Sequence, residues 1–451
     1  MSNNDLNNKN NLFLPALAIY IGTALLTINQ RIGWQQGDIR ILSIVLRSEI
    51  WFTIAIVIYA LYYRKVSSTP QRLNYVAKSL LLNKPILFLF TTLLASYIAG
   101  IRTGFFLNPF GVFDFFEVIL CTSTGYLIFK LTITVRNFGH RIIKIFLWSP
   151  LLNIFAGLLS LLLGINNIEG FNGVDDFGSG FIGLGERFQG VASNPNIVLT
   201  QTSIAFSFLI PRLIYLSSSS VASKKINYAL YGSCLIAIML WTGTRSGLVI
   251  LPTILLVFIW IKSKVDKKIH TLFLNFFLVI IFSILAGLLV HSLGFGKVLF
   301  ERLDSEGRLP LWNYYIELLL KNPLGLGLGF ESIVGTDTLI EGQRLPPHNF
   351  LLTAGMYGGF AAIIVTLMQL WNIRRVISRI LVSIKSWRES TNMIGVILAL
   401  CASVISIFFS GLLQGQFNVS ILTGLLLGLA TCNDVDLTMS SILKTFIDKK
   451  S

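Results

Sequence analysis

Three arginines lie at polar turns next to apolar segments, where a phosphate-bearing ligand could be bound. Arg245 lies in the turn Trp241-Thr-Gly-Thr-Arg-Ser-Gly247 between two apolar blocks. Arg308 precedes a short amphipathic stretch, and Arg187 lies in the polar run Glu186-Arg187-Phe-Gln-Gly190. Because a guanidinium group binds phosphate through two parallel hydrogen bonds, these arginines together favour an anion site.

Each arginine taken alone also has a structural interpretation. Arg245 is consistent with a side chain that snorkels to the membrane boundary. Arg308 is consistent with a solvated charge among neighbouring acids, which contributes little. Arg187 is consistent with an ion pair to Glu186 or Asp176.

His348 is the histidine best placed for proton transfer. Pro346 and Pro347 precede it and Asn349 follows it, where a long polar segment meets an apolar block. Proline fixes the backbone angle φ, so the imidazole is presented at a defined position. A histidine there can take up a proton near neutral pH, although a structural role for a lone histidine stays open.

The sequence lacks the motifs of nucleotide-driven and common metal-dependent enzymes. No GxxxxGK[ST], HExxH or GxSxG pattern is present. The run Leu324–Gly329, LGLGLG, has the wrong period for a dinucleotide site and predicts close backbone packing or a tight turn. No cofactor and no metal site is predicted, because the four cysteines lie singly without CxxC spacing. These are Cys121, Cys234, Cys401 and Cys432.

The elements that must position these residues are membrane helices. Of 451 residues, 54% are apolar and only 13% are charged, about half of the charged share in soluble proteins. A spanning helix needs about 20 mostly apolar residues, and about 12 blocks approach that length. They run over 12–28, 48–63, 85–101, 112–131, 142–164, 196–216, 227–243, 247–261, 271–291, 350–371, 393–410 and 417–433. The predicted fold is all-α, a polytopic membrane protein with 1–451 as a single transmembrane domain.

Basic residues set the predicted orientation. With the N-terminus in the cytoplasm, the cytoplasmic segments hold most of the 36 Lys and Arg residues, as the positive-inside rule requires. Both termini are then cytoplasmic. The segment 292–349 is external, helical over 310–321 and packed on the membrane domain. The net charge of +15 is therefore a topology signal and not a nucleic-acid footprint.

These motifs resemble those of the O-antigen ligase and Wzy-type polymerase superfamily of bacterial envelope glycan assembly. The resemblance is carried by 242–247, by Gly307-Arg308-x-x-x-Trp312 with the run 322–330 after it, and by Pro347-His348-Asn349-x-Leu351. Asn194-Pro195-Asn196 is similar too. The family has about twelve helices and a large periplasmic loop between the ninth and tenth, which agrees with the predicted topology.

The resemblance implies transfer of a glycan from undecaprenyl diphosphate to a glycan or lipid acceptor, at the periplasmic face of the bacterial inner membrane. Arg245 and Arg308 would bind the diphosphate with help from Arg187. His348 would deprotonate or orient the acceptor hydroxyl. The displacement would be direct, inverting and independent of metal. The supporting residues would be Asn349, Trp312 and Asn196.

Three alternatives stay open. A ligase glycosylates a lipid core, whereas a polymerase extends another lipid-linked repeat, and both use the same donor. A transporter of a small anion or solute is the alternative class, although transporters typically carry ionisable residues near the midplane. Asp114 and Glu117, three residues apart, are either a functional pair within the membrane or an interfacial pair with Arg102.

Overall fold

The protein is predominantly helical over the residues that its computed structural model describes. These are 48–62, 76–103, 109–135, 137–162, 174–175, 187–188, 195–216, 222–242, 245–266, 308–330, 339–340, 343–344, 347–384, 387–410, 412–433 and 435. The α-helices are α1 (Ser48–Tyr62), α2 (Lys84–Thr103), α3 (Pro109–Thr134), α4 (Phe138–Leu162), α5 (Pro195–Leu216), α6 (Ala222–Trp241), α7 (Arg245–Asp266), α8 (Arg308–Lys321), α9 (Phe350–Ser383), α10 (Trp387–Ser410) and α11 (Leu412–Cys432). A π-helical turn, Ser79–Asn83, leads into α2.

Two short antiparallel strand pairs accompany the helices in the described residues. The strand β1 (Val174–Asp175) pairs with β2 (Arg187–Phe188). The strand β3 (Leu339–Ile340) pairs with β4 (Gln343–Arg344). Each strand contains two residues, so the strands serve only to fix local register within long connections.

The predicted apolar blocks that fall on described residues lie on helices. Four of these helices are long and apolar enough to cross a membrane: Val76–Ile101, Asp114–Thr134, Phe350–Ser383 and Ser390–Phe408. Shorter apolar helices are Phe52–Leu61, Ile226–Met239, Val249–Ser263 and Phe417–Cys432. The protein is therefore a helical membrane protein, as predicted. The predicted blocks 12–28 and 271–291 lie outside the described residues, so a total of about 12 spanning helices stays a prediction.

One face of α2 carries large apolar side chains that the described part of the protein leaves exposed. Ile86, Phe90, Tyr97 and Ile101 are each at least 58% exposed. They recur at intervals of four or seven residues, which places them along one helical stripe. A stripe of this kind is typical of a surface that faces lipid, where apolar side chains need no protein cover.

Contacts divide the chain into two compact units. The first unit contains Met1–Val66, Thr134–Ala286 and Lys385–Ala402. The second contains Ser67–Ile133, Gly287–Ile384 and Ser403–Ser451. A single transmembrane domain over 1–451, and an external position for 292–349, stay predictions.

Polar side chains tie helices together inside the first unit. The Tyr231 hydroxyl on α6 donates to the carbonyl of Leu147 on α4 at 2.5 Å. The Arg212 guanidinium donates to the Phe208 carbonyl within α5 and to the Asn392 side chain on α10, both at 2.8 Å. Because a polar group in an apolar surrounding is costly unless paired, these bonds fix the register of α6 against α4 and of the start of α10 against α5.

Small residues bring α3 and α11 close together inside the second unit. A Cβ added at Gly424 would overlap the backbone of Gly125, and one added at Gly428 would lie 2.5 Å from the Thr132 side chain. Gly424 and Gly428 form the small-xxx-small spacing that lets membrane helices approach closely. Both contacts advance in the same direction along the two helices, so α3 and α11 run parallel.

Candidate functional site

His348 immediately precedes α9 and is held by the residues on both sides of it. The Asn349 side chain caps α9 by accepting the backbone N–H groups of the second and third helical residues, at 2.9 and 3.3 Å. On the other side, the Pro347 carbonyl accepts the indole N–H of Trp312 at 2.9 Å. Pro347 and Asn349 are buried, whereas His348 is partly exposed. The junction therefore fixes the backbone and leaves the imidazole accessible.

The backbone of His348 is left-handed, with φ of 47°. A non-glycine residue rarely adopts this region, and such strain costs about 1–3 kcal/mol unless the surroundings impose it. Here the Asn349 cap and the Trp312 bond impose it. Strained positions cluster at functional sites, which makes His348 a candidate, and its catalytic role stays a prediction.

The helix α8 brings Arg308 towards the same junction. Arg308 is the first residue of α8, and Trp312 lies one turn later, which is about 6 Å along the axis. The Trp312 ring contacts the Phe408 ring at 6.3 Å between centroids, and Phe408 contacts Phe350 at 5.7 Å. These aromatic contacts, together with the Trp312 bond, fasten the start of α8 to the start of α9.

Two helix N-termini thus meet beside His348. The helix predicted over 310–321 is present as α8, begins at Arg308 and buries Leu311, Tyr315 and Leu319 on one face. Because backbone dipoles place a partial positive charge at the start of a helix, the starts of α8 and α9 together favour an anionic group nearby.

The first unit gathers the other predicted arginines at one of its ends. The ring of Phe188 lies 4.9 Å from the ring of Trp241, the last residue of α6. The strand β2, whose first residue is Arg187, therefore lies beside the end of α6. A short turn then leads to Arg245, the first residue of α7. Arg187 and Arg245 accordingly belong to the same end of this unit.

Asn196 lies at that end as well. It is in the first turn of α5, where its carbonyl accepts the Thr200 hydroxyl at 2.8 Å. The connection between α5 and α6 is only 217–221, so the two packed helices are antiparallel and the start of α5 lies beside the end of α6.

The register of the first strand pair bears on the role of Arg187. Asp175 is its partner across the pair β1–β2. The sequence suggested Glu186 or Asp176 as an ionic partner, and neither occupies that register position. The structural role of Arg187 therefore stays a prediction.

The predicted site residues divide between the two units. The first unit contains Arg187, Asn196 and Arg245, and the second contains Arg308, Trp312, His348 and Asn349. Within the described residues, no group of three or more His, Cys, Asp and Glu side chains could hold a metal ion.

The glycine segment, Asn322–Phe330, is the close-packed turn that its sequence predicts. Gly325, Gly327 and Gly329 have φ of 86°, 89° and 73°, a region that disfavours side chains with a Cβ. A Cβ added at Gly327 would overlap Ser96 on α2. The Ser96 hydroxyl accepts the backbone N–H of Leu328 at 2.8 Å. This role of Ser96 was not predicted, because serine in an apolar helix normally bonds to its own helix.

Asp114 also contacts the glycine segment. Its carboxylate accepts the backbone N–H of Gly329 at 3.1 Å. The predicted alternative partner was Arg102, whose side chain lies outside the described residues. Glu117, one turn further along α3, is buried. Asp114 could be singled out from the sequence because it is charged within an apolar stretch. Its bond to the Gly329 N–H could not be predicted, because nearly every residue has a backbone N–H group.

The apolar helices and the capped, strained histidine junction together define a multi-pass helical membrane protein with a polar site at helix ends. Residues 230–367 match the model of the O-antigen ligase family, Wzy_C. This match supports the predicted resemblance to the O-antigen ligase and Wzy-type polymerase superfamily. No curated protein and no solved structure matches the chain at a significant level.

The matched range contains most of the predicted site. Five of the predicted site residues lie inside 230–367: Arg245, Arg308, Trp312, His348 and Asn349. The other two, Arg187 and Asn196, precede it. The match supports, in broad terms, an O-antigen ligase- or polymerase-type function.

Proposed function

We propose that the protein transfers a glycan from undecaprenyl diphosphate to an acceptor hydroxyl at the external face of the bacterial inner membrane. One observation carries this proposal: the family match includes the His348 junction, where a left-handed histidine is held between a capped helix and the Trp312 bond. Arg308 begins α8, one turn before the Trp312 that bonds to this junction.

In the proposed reaction, His348 acts as the general base. Its imidazole takes the proton of the acceptor hydroxyl, and the acceptor oxygen attacks the anomeric carbon on the face opposite the diphosphate. The bond from that carbon to the diphosphate oxygen breaks, and undecaprenyl diphosphate leaves with the electron pair. The configuration is inverted, and the imidazolium then releases its proton to water. A positioned base contributes about 10²–10⁴-fold to such a rate.

Arg245 and Arg308 bind the diphosphate in this proposal. The leaving group gains negative charge as the glycosidic bond breaks, and bidentate guanidinium contacts stabilise that charge. Each arginine is the first residue of a helix, so backbone N–H groups and the helix dipole add to the positive potential. Arg187 assists, and Asn196 supports the same end of the first unit. Because arginines supply the positive charge, we propose that no metal is required.

The break in α9 bears on the transporter alternative. Discontinuous helices in transporters expose backbone groups to the transported ion or substrate. In α9 the backbone groups freed at Met356 and Phe360 are instead bonded to the glycine segment, at 2.7 and 3.1 Å. The backbone groups at the break thus bond to the protein itself, which favours an enzyme with a fixed site over a transporter.

A transfer assay with the purified full-length protein tests the proposed reaction. We expect a radiolabelled glycan on undecaprenyl diphosphate to move to an added acceptor, with an equal rate in excess EDTA. A longer lipid-linked glycan as the product would indicate a polymerase, and a glycosylated lipid core would indicate a ligase. If neither product formed with any of the donor glycans tested, and each donor remained intact, the proposed function would be contradicted.

Cysteine labelling tests the proposed side of the membrane. After the four native cysteines are replaced, a Ser305→Cys variant should react with a membrane-impermeant maleimide added outside intact cells. A Ser386→Cys variant is the matched control and should react only after the cells are opened. Labelling of Ser305→Cys from the cytoplasmic side alone would overturn both the topology and the external site.

A further inference from the structure

The helix α9 is broken a short distance after His348. Gly358 and Gly359 have non-helical backbone angles inside it, with φ of −145° and 64°. The break separates a short first part, Phe350–Tyr357, from the rest of the helix. A short helical piece has few hydrogen bonds of its own, so its position depends on what holds its two ends. Asn349 and Trp312 hold its start.

The glycine segment holds the other end. The Met356 carbonyl accepts the backbone N–H groups of Leu326 and Gly327 at 2.7 and 3.2 Å. The Phe360 N–H, just beyond the break, donates to the Pro323 carbonyl at 3.1 Å. Within a membrane-spanning helix each freed backbone group must find a partner inside the protein. These bonds provide it and thereby fix the angle between the two parts of α9.

The contact between the glycine segment and the break requires glycine on both sides. A Cβ at Gly325 would lie 2.5 Å from the backbone nitrogen of Gly359, and a Cβ at Gly359 would overlap the Pro323 carbonyl. The two backbones therefore touch directly, without side chains that could yield. A displacement of the segment must then be transmitted to the break.

The segment also continues directly from α8, which holds the start of α9. Leu319 on α8 lies against Gly355 in the short first part, with 3.0 Å to an added Cβ. Phe330, at the end of the segment, contacts the rings of Tyr315 and Tyr357 at 6.2 and 5.3 Å between centroids. The glycine segment, α8 and the first part of α9 thus pack on one another as a unit that we call the frame, and His348 lies at its edge.

The frame is anchored to other helices through two side chains, Ser96 on α2 and Asp114 on α3. The N–H groups of Leu328 and Gly329 donate to them at 2.8 and 3.1 Å. Alternating left-handed glycines direct neighbouring N–H groups to one side of the chain, an arrangement that suits an anionic acceptor. Of the two anchors, only Asp114 brings a carboxylate, a group that is costly on a membrane helix.

We propose that Asp114 is a positioning residue for His348. By accepting the Gly329 N–H, it fixes the glycine segment, which in turn fixes the short first part of α9 and the Trp312 end of α8. It touches neither donor nor acceptor and acts through this frame. The catalytic part of the proposal rests on the proposed function, whereas the mechanical link between Asp114 and the His348 junction does not.

Steady-state kinetics of purified full-length variants test the link. A displacement of about 1 Å at a catalytic group costs on the order of 10²-fold in rate, so we expect Asp114→Ala to lower kcat to that extent with little change in the KM for the donor. Asp114→Asn keeps a side-chain acceptor for Gly329 and should retain much of the activity. Thr122→Ala is the matched control, because among the described residues this α3 hydroxyl bonds only to its own helix, at Val118 and Ile119.

A double-variant cycle separates positioning from general loss of structure. If Asp114 acts through His348, Asp114→Ala combined with His348→Ala is no slower than His348→Ala alone. Full additivity of the two losses, or a wild-type kcat in Asp114→Ala, would overturn the proposal. Should Asp114→Ala fail to fold, Ser96→Ala takes its place in the cycle, because it removes the other anchor of the same segment.

Hydrogen exchange gives a readout that does not depend on catalysis. Asp114→Ala should lose protection over 322–330 and 347–357, whereas Thr122→Ala should not. Unchanged protection at 347–357 would overturn the link even if activity fell. If the wild-type protein transferred no glycan, the proposed function would fail, and loss of protection at 347–357 in Asp114→Ala would still support the mechanical link.

Discussion

Replacing His348 with alanine should lower kcat for glycan transfer by about 10²–10⁴-fold, because a positioned general base contributes that much. The backbone conformation of His348 decides which replacement tests this role. His348 has φ of 47°, and alanine tolerates the left-handed region poorly, so His348→Ala adds backbone strain to the loss of the base. His348→Asn removes the base and suits that backbone, because asparagine adopts it readily. Equal losses in the two variants would assign the effect to the imidazole.

The pH dependence gives a second signature of the same role. The neutral imidazole is the form that accepts the proton, so the wild-type rate should fall as the pH falls through the pKa of the base. His348→Gln, which orients the hydroxyl without taking its proton, should retain slight activity without that fall. Unchanged turnover and an unchanged pH profile in His348→Asn would show that His348 only anchors the start of α9.

The positions of the membrane helices were predictable because length and apolar character decide them. The block predicted over 350–371 is α9, but the helix continues to Ser383. The added stretch 372–383 carries Arg374, Arg375 and Arg379, and the Arg374 guanidinium lies 4.6 Å from the centre of the Trp371 ring. Hydropathy detects where a helix is apolar and not where it is helical, so polar extensions at the ends of helices were missed.

The histidine junction was predictable in place but not in conformation. Two prolines before His348 and a capping Asn349 indicated a fixed turn ahead of a helix. The left-handed φ depends on the Trp312 bond to Pro347, which joins residues far apart in sequence. The break at Gly358–Gly359 was missed because its bonds also come from a distant segment, and paired glycines inside an apolar block give no local signal of a partner.

Replacing either Arg245 or Arg308 with alanine should abolish glycan transfer in cells and lower the rate of the purified protein on the order of 10²–10³-fold, the usual loss for one stabilising donor at a developing charge. The structure predicts that stability will not fall in parallel. Each arginine is the first residue of a helix, α7 or α8. The helix dipole disfavours a cation there, and alanine has the highest helix propensity, so the variants should be as stable as the wild type or slightly more stable.

Lys321 offers a matched control on the same helix as Arg308. It lies in the last turn of α8, where the dipole favours a cation, and it is exposed. Lys321→Ala should therefore lose a little stability and keep its activity, the opposite of Arg308→Ala. Lysine at 245 or 308 should rescue poorly, because a point charge cannot reproduce the two parallel hydrogen bonds of a guanidinium group. If Arg308→Ala or Arg245→Ala kept near-wild-type glycan length in cells, that arginine would be a surface charge at a helix start. Full rescue by lysine would instead show that positive potential alone is needed, without bidentate recognition of the diphosphate.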